Sequence, residues 1–196
     1  PQPVEIIYNG VQRNLAVVPQ ASADGVFRVL AIGRLDPIKR FDWLIDAVAR
    51  LPEHLHLEIV GEGPARSELT QQISALGVAD RVQLIGHQQH IPELMARRHA
   101  VVIASRSEGF SLVMVEALMY ANLFLSTEVG AAPELLPDAL LIKEGALDDA
   151  LLNMMANYSV MAQNFRAFAT ECAPQFEMAA VAQKYQDYYR TILAPA

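Results

Sequence analysis

The sequence predicts a doubly wound α/β domain, a parallel six-stranded sheet with helices on both faces and a helical segment at the carboxyl end. Three observations carry this. Short apolar runs rich in β-branched residues occupy 27–32, 55–60, 82–85, 100–103, 123–125 and 140–142. Stretches of helical periodicity lie between them, and after residue 145 the periodicity is helical throughout. The runs are apolar at successive rather than alternate positions, as strands covered on both faces require. With 196 residues, 53% hydrophobic and 19% charged, the chain can bury a sizeable core, which excludes a disordered chain or a disulfide-stapled miniprotein.

The first strand, 27–32, ends in Gly33-Arg34-Leu35-Asp36-Pro37-Ile38-Lys39-Arg40, which feeds a helix with the stripe Phe41, Leu44, Ile45 and Val48. Arg34 and Lys39 place cations beside backbone donors, where a phosphate can sit, although solvated surface charges give the same pattern. The second strand, 55–60, opens into Gly61-Glu62-Gly63-Pro64. A dinucleotide fingerprint would need a third glycine where Arg66 stands and would follow the first strand, so a tight turn is the simpler reading, with a share in a ligand cleft as the alternative. His54, His56 and Glu58 alternate onto one face but have no further ligand at metal-binding spacing. A helix carrying Leu69, Ile73 and Leu76 leads to the third strand, 82–85, and its loop Gly86-His87-Gln88-Gln89.

The fourth strand, 100–103, delivers Ser105-Arg106-Ser107-Glu108-Gly109-Phe110-Ser111 and then a helix, 112–121, that is apolar on every face except at Glu116. A carboxylate there needs the backbone, a cation or a ligand's hydroxyls as partner, and the glycine turn just before it favours the ligand. Glu108, at the turn into the same helix, repels a bare phosphate and suits a hydroxyl-rich group, whereas the helix start offers free amides to an anion. Two carboxylates eight residues apart thus bracket a ligand with an anionic middle and polyol flanks, the layout of a nucleotide-sugar. The fifth strand, 123–125, leads through Gly130 and Pro133-Glu134 to the sixth, 140–142, and the final helix carries Val181, Tyr185, Tyr188 and Ile192 on one stripe.

A net charge of −7 argues against a protein that neutralises many nucleic-acid phosphates. Cys172 is the single cysteine, allows no internal disulfide and reads as a packed thiol. The longest apolar stretch, 112–125, is interrupted by Glu116 and Asn122, and the opening Pro1-Gln2-Pro3 shows no charged-then-apolar leader, so a cytoplasmic, reducing location is expected. Neither a Gly-x-Ser-x-Gly elbow nor a phosphate-loop motif occurs, and no Asp-x-Asp is present to hold a diphosphate-bound metal.

Val29-Leu30-Ala31-Ile32-Gly33-Arg34-Leu35 with Lys39, Ile59-Val60-Gly61-Glu62-Gly63-Pro64, Arg81-Val82 before Gly86, Ser107-Glu108-Gly109-Phe110-Ser111-Leu112 with Glu116-Ala117, and Gly130 with Pro133-Glu134 resemble a known family. It is the carboxy-terminal, donor-binding domain of retaining GT-B glycosyltransferases, specifically glycosyltransferase family 4, and the likeness runs from Asn9-Gly10 to the end of the chain. The resemblance implies a Rossmann-like sheet across 1–196, with 1–27 as interdomain linker and start region and 175–196 as a crossover helix. It also implies that an amino-terminal acceptor-binding domain is missing. Arg34 and Lys39 would hold the donor's diphosphate in place of a metal, Glu116 the ribose hydroxyls and Glu108 the donor sugar. The amides of Phe110, Ser111 and Leu112 would contact sugar and distal phosphate, Gly86, His87 and Gln88 would line the base, and Gly33, Gly61, Gly63 and Gly109 would shape the site.

Glu108, Arg34 and Lys39 are therefore the expected catalytic residues. The implied reaction moves a hexose from a UDP- or GDP-sugar, a substrate rather than a cofactor, to a lipid-linked or polysaccharide acceptor with retention. Neither cofactor nor metal is expected. The chain alone would be inactive, and the full-length enzyme would associate peripherally with membrane. The rivals are a GT-B-fold sugar-nucleotide epimerase or glucan synthase, and a non-catalytic nucleotide-binding module. Two positions depart from the family pattern: Arg40 stands where glycine is common, and Ala131 replaces the second glycine before Pro133-Glu134.

Overall fold

The β-branched runs form strands because only a sheet interior accommodates apolar side chains on both faces of an extended segment. A computed structural model of the protein describes residues 4–193. In chain order the elements are β1 (Phe27–Ile32), α1 (Phe41–Arg50), β2 (Leu55–Val60), α2 (Arg66–Ala75), β3 (Val82–Gly86), α3 (Ile91–Arg97), β4 (Ala100–Ile103) and α4 (Leu112–Tyr120). They continue as β5 (Phe124–Thr127), α5 (Ala132–Leu135), β6 (Leu141–Ile142), α6 (Leu147–Ala156), α7 (Tyr158–Cys172) and α8 (Met178–Leu193), with short 3-10 turns at Pro37–Lys39, Asp138–Leu140 and Ala173–Phe176.

All six strands are parallel, in the order β3-β2-β1-β4-β5-β6. β1 and β2 pair from Phe27 with Leu55 through Ile32 with Val60, while β1 meets β4 at Val29 with Ala100 and Leu30 with Val101. Strand order therefore reverses direction between β1 and β4, and a crevice opens there outside the carboxyl ends of the strands. The doubly wound expectation is met. Leu30, Leu57, Ile59, Val101 and Phe124 are fully buried.

α4 is enclosed as its composition demands, with Met114 through Tyr120 buried except for Glu116 and with α3 and α7 packed against it. Among the described residues the amino-terminal segment forms no strand. It crosses the domain surface instead, tied by the Val11 amide donating to the Phe176 carbonyl at 2.9 Å, the Met178 amide to the Val11 carbonyl at 3.1 Å and the Gln20 amide to the Ala96 carbonyl at 2.7 Å. Residues 1–3 of the expected 1–27 linker and 194–196 of the expected 175–196 crossover lie outside the described residues.

Several details differ from the sequence expectation. α3 and α5 are too short for periodicity to reveal; Pro92 and Pro133 near their starts preset the first turn. Leu76 falls on the C-cap of α2 and is exposed rather than on its buried stripe. Of the stripe Val181, Tyr185, Tyr188 and Ile192, only Val181 is buried. Among the described residues no helix is long and apolar enough to cross a membrane.

Candidate functional site

The loop leaving β1 is shaped by local chemistry. Asp36 caps the Pro37–Lys39 turn by accepting from the Ile38 amide at 3.1 Å, and Arg40 then adopts the left-handed conformation, φ 52° and ψ 40°. Arginine thus takes dihedrals that glycine adopts without cost, and its guanidinium lies 4.1 Å from the Trp43 ring centre and 3.2 Å from Glu144. The reversal carries Lys39 back over the end of β4, where its Nζ lies 2.6 Å from Glu108 Oε1. The Arg106 amide, donating to the Ile38 carbonyl at 2.8 Å, ties the same two loops together.

Glu108 has a second donor: Ser105 Oγ also donates to Oε1, at 2.6 Å. Ser105 is buried and its carbonyl accepts from Thr127 Oγ1 at 2.8 Å, which fastens this end of β4 to β5. Glu108 Oε2 has no hydrogen-bond partner among the described residues. The side chains of Lys39 and Glu108 are 24% and 14% exposed, so the pair is partly desolvated yet open to an incoming group.

Glycine permits the loops to approach this closely. Gly61 has φ 137°, and a Cβ there would lie 1.9 Å from the Gly33 carbonyl oxygen; one on Gly63 would lie 2.4 Å from the Leu35 oxygen. Gly130, at φ 54°, would drive a Cβ to 2.0 Å from the Gly109 oxygen, so the close approach at this loop rests on Gly130, and Ala131 is accommodated with its amide donating to Gly109 at 3.1 Å. Beside the β1 and β2 loops lies a cleft of about 330 Å³, whose lining includes Gly33, Arg34, Gly61, His87 and Gln88. Gly86 is not among the residues lining it but joins it through the Gly61 amide, which donates to the Gly86 carbonyl at 2.9 Å. Arg34 is exposed and its guanidinium has no partner among the described residues.

Ser111 caps α4, its Oγ accepting from the Met114 amide at 3.3 Å. The amides of Phe110, Ser111 and Leu112 meet no acceptor among the described residues, which leaves donors at the positive end of the helix dipole. On the second turn of α4, Glu116 is half-buried and has no hydrogen-bond or ion-pair partner among the described residues; burial pushes its pKa up. The structure thus joins Lys39 to Glu108 directly, collects Gly33, Arg34, Gly61, His87 and Gln88 around one cleft, and leaves Glu116 unpaired.

Two residues escape sequence reasoning. Ser105 gives no signal because a serine after a strand is ordinary. Tyr8 stacks on Phe110 with ring centres 5.0 Å apart and donates to Glu134 Oε2 at 2.6 Å, a bond that raises its pKa. Phe176 completes this aromatic cluster 6.0 Å from Phe110. No three His, Cys, Asp or Glu among the described residues are grouped to hold a metal ion, and Glu58 is taken by Arg98 at 2.7 Å.

Known proteins are similar to this chain in sequence and in fold. The chain is 28% identical over 98% of its length to the phosphatidylinositol N-acetylglucosaminyltransferase gpi3 subunit of Schizosaccharomyces pombe, of which it spans 44%. Over 60% of the chain it is 35% identical to a Campylobacter jejuni N-acetylgalactosaminyltransferase acting on N-acetylgalactosamine-N,N'-diacetylbacillosaminyl-diphospho-undecaprenol, covering 33% of that protein. The crystal structure of Anabaena HepE in complex with UDP superposes with a TM-score of 0.85 at 25% identity, over 95% of this chain and 57% of that one. HepE is also known in complex with UDP-glucose. The family model for group 1 glycosyl transferases matches residues 26–157, from the strand before the cationic loop to the helix after β6, and the chain belongs to that family.

Proposed function

We propose that the domain binds a nucleoside diphosphate sugar and forms the donor half of a glycosyltransferase that moves a hexose with retention to a lipid-linked or polysaccharide acceptor. The observation that carries this reading is the Lys39–Glu108 pair at the β1/β4 reversal, set beside a cleft that Arg34, His87 and Gln88 help to line and a helix start with free amides. Arg34, Lys39 and the amides of Phe110, Ser111 and Leu112 serve the diphosphate, whose charge grows as the glycosidic bond breaks; donors fixed in advance stabilise that growth most. Glu116 accepts from the ribose, and its missing partner supports the assignment. Glu108 Oε2 accepts from the sugar, and the cleft at His87 and Gln88 takes the base. Uridine nucleotides are the first to test, since HepE holds UDP and UDP-glucose.

An acceptor-binding domain is the other half of this reading, and the exposed Tyr185, Tyr189 and Leu193 of α8 leave a face for it. Cytoplasmic residence, with peripheral membrane attachment through the acceptor half, completes the proposal. A thermal-shift panel of UDP, GDP, their sugars and NAD tests it. Ligand at a hundred times its dissociation constant adds about 2.7 kcal/mol, a clear rise in melting temperature. The diphosphates and their sugars should give that rise and NAD none. EDTA should leave it unchanged, and added salt should reduce it. Silence from every nucleoside diphosphate at millimolar concentration would end the proposal.

A further inference from the structure

Lys39 and Glu108 neutralise one another, and the pair is bolted in place. Glu108 Oε1 takes both Lys39 Nζ and Ser105 Oγ at 2.6 Å, and Ser105 is itself buried and bonded to β5 through Thr127. The carboxylate cannot swing away from an arriving phosphate without abandoning the serine. Any diphosphate that reaches Lys39 must therefore sit beside a retained negative charge, at a place where both side chains are largely withdrawn from water.

A bare nucleoside diphosphate ends in a phosphate that approaches a dianion at neutral pH, and it brings nothing to satisfy Glu108. In the intact nucleotide-sugar the same phosphate is esterified and carries one charge fewer, and the attached sugar bears hydroxyls able to donate to the unpartnered Oε2. We propose that the Ser105–Glu108–Lys39 cluster makes the site prefer the intact nucleotide-sugar over its own diphosphate product. The inference rests on the nucleotide-sugar reading and adds to it a reason for the product to leave: transfer of the sugar removes the hydroxyl donors and adds a charge next to Glu108 in the same event.

Calorimetric titrations of the protein with UDP and UDP-glucose, and with GDP and GDP-mannose, test this, using whichever pair binds more tightly. Glu108→Gln retains the shape and the serine bond but frees Lys39, so it should tighten the bare diphosphate about three- to tenfold while leaving the sugar conjugate no tighter. In a Lys39→Met background Glu108 has no counter-charge, so the same substitution should tighten the diphosphate at least as much, as a double-mutant cycle reads it. Ser105→Ala, which removes no charge but unbolts Oε1, should lower the preference in the same direction, and circular dichroism checks that each variant is folded. Diphosphate affinity that is unchanged or weaker in Glu108→Gln, or a gain that vanishes without Lys39, overturns the inference while the nucleotide-sugar reading stands. Failure of the unaltered protein to bind either pair overturns both.

Discussion

Glu116 and His99 are both pushed by burial toward their neutral forms, with opposite consequences. For Glu116 the folded pKa is raised, so its favourable contribution to stability is present at low pH and is lost as pH rises through that raised value. As a carboxylate, Glu116 finds no partner among the described residues to offset its desolvation. Glu116→Gln should therefore stabilise the ligand-free domain, by about 2–4 °C in melting temperature for each kcal/mol relieved. The same change should weaken nucleoside diphosphate and nucleotide-sugar alike, by about 1.5–3 kcal/mol for lost bonds to a charged acceptor. Thermal melts and titration calorimetry read the two effects separately, and a lower melting point with unchanged affinity would make Glu116 a structural group. His99 accepts from the Arg28 amide through Nδ1 at 3.0 Å, and its ring stacks on Phe27 with centres 4.6 Å apart. Burial lowers its pKa from 6.5, so the unfolded chain binds the proton more readily; the stabilisation is complete above about pH 6.5 and fades as pH falls through the lowered value. Denaturant titrations across pH 5–8 should show that slope, and His99→Gln should flatten it.

At the level of elements, the site is a set of βα loops pressed into contact where they lack side chains. Gly61→Ala places a methyl against the Gly33 carbonyl and holds it at positive φ, and should cost about 2–4 kcal/mol from overpacking and backbone strain together. Gly109→Ala is the control: nothing lies within 4 Å of a Cβ there, so stability should change by less than about 0.5 kcal/mol. Urea midpoints of the two variants compare them, and equal losses would mean that the loop contact is not what holds the site together. The positions of the strands along the chain and the approximate bounds of the major helices were legible beforehand, because apolar period is a local property of the chain. α3, α5 and the exposed stripe of α8 were not, since short helices carry too few turns to show a period and a stripe does not say what covers it.

For the whole molecule, the chain spans 44% of the gpi3 subunit and 57% of HepE, and the proposed division of labour gives it the donor alone. Transfer between two substrates depends on holding both in one cleft, an advantage that no single-substrate domain supplies. The isolated chain should bind the donor, hydrolyse it slowly at most, and glycosylate no acceptor. Glycan transfer detected by mass spectrometry with this chain alone would overturn that division. Tyr8 ties the amino-terminal segment to the turn into α4 through Phe110 and to α5 through Glu134.

The sequence by itself determined the alternation of strand and helix, the parallel sheet, the loops that carry Arg34, Lys39, Glu108 and Glu116, and the net acidic balance. Each follows from the period, composition or order of residues close together in the chain. Only the tertiary structure decided that Lys39 meets Glu108 across 69 residues, that buried Ser105 holds the same carboxylate oxygen, and that Tyr8 reaches Phe110. These contacts depend on β4 rather than β2 or β3 lying on the open side of β1, and on loops with no side chain in the way. Strand order is chosen by how helices cover the two faces of the sheet. That balance of burial over the whole chain leaves no mark in the period of any one segment.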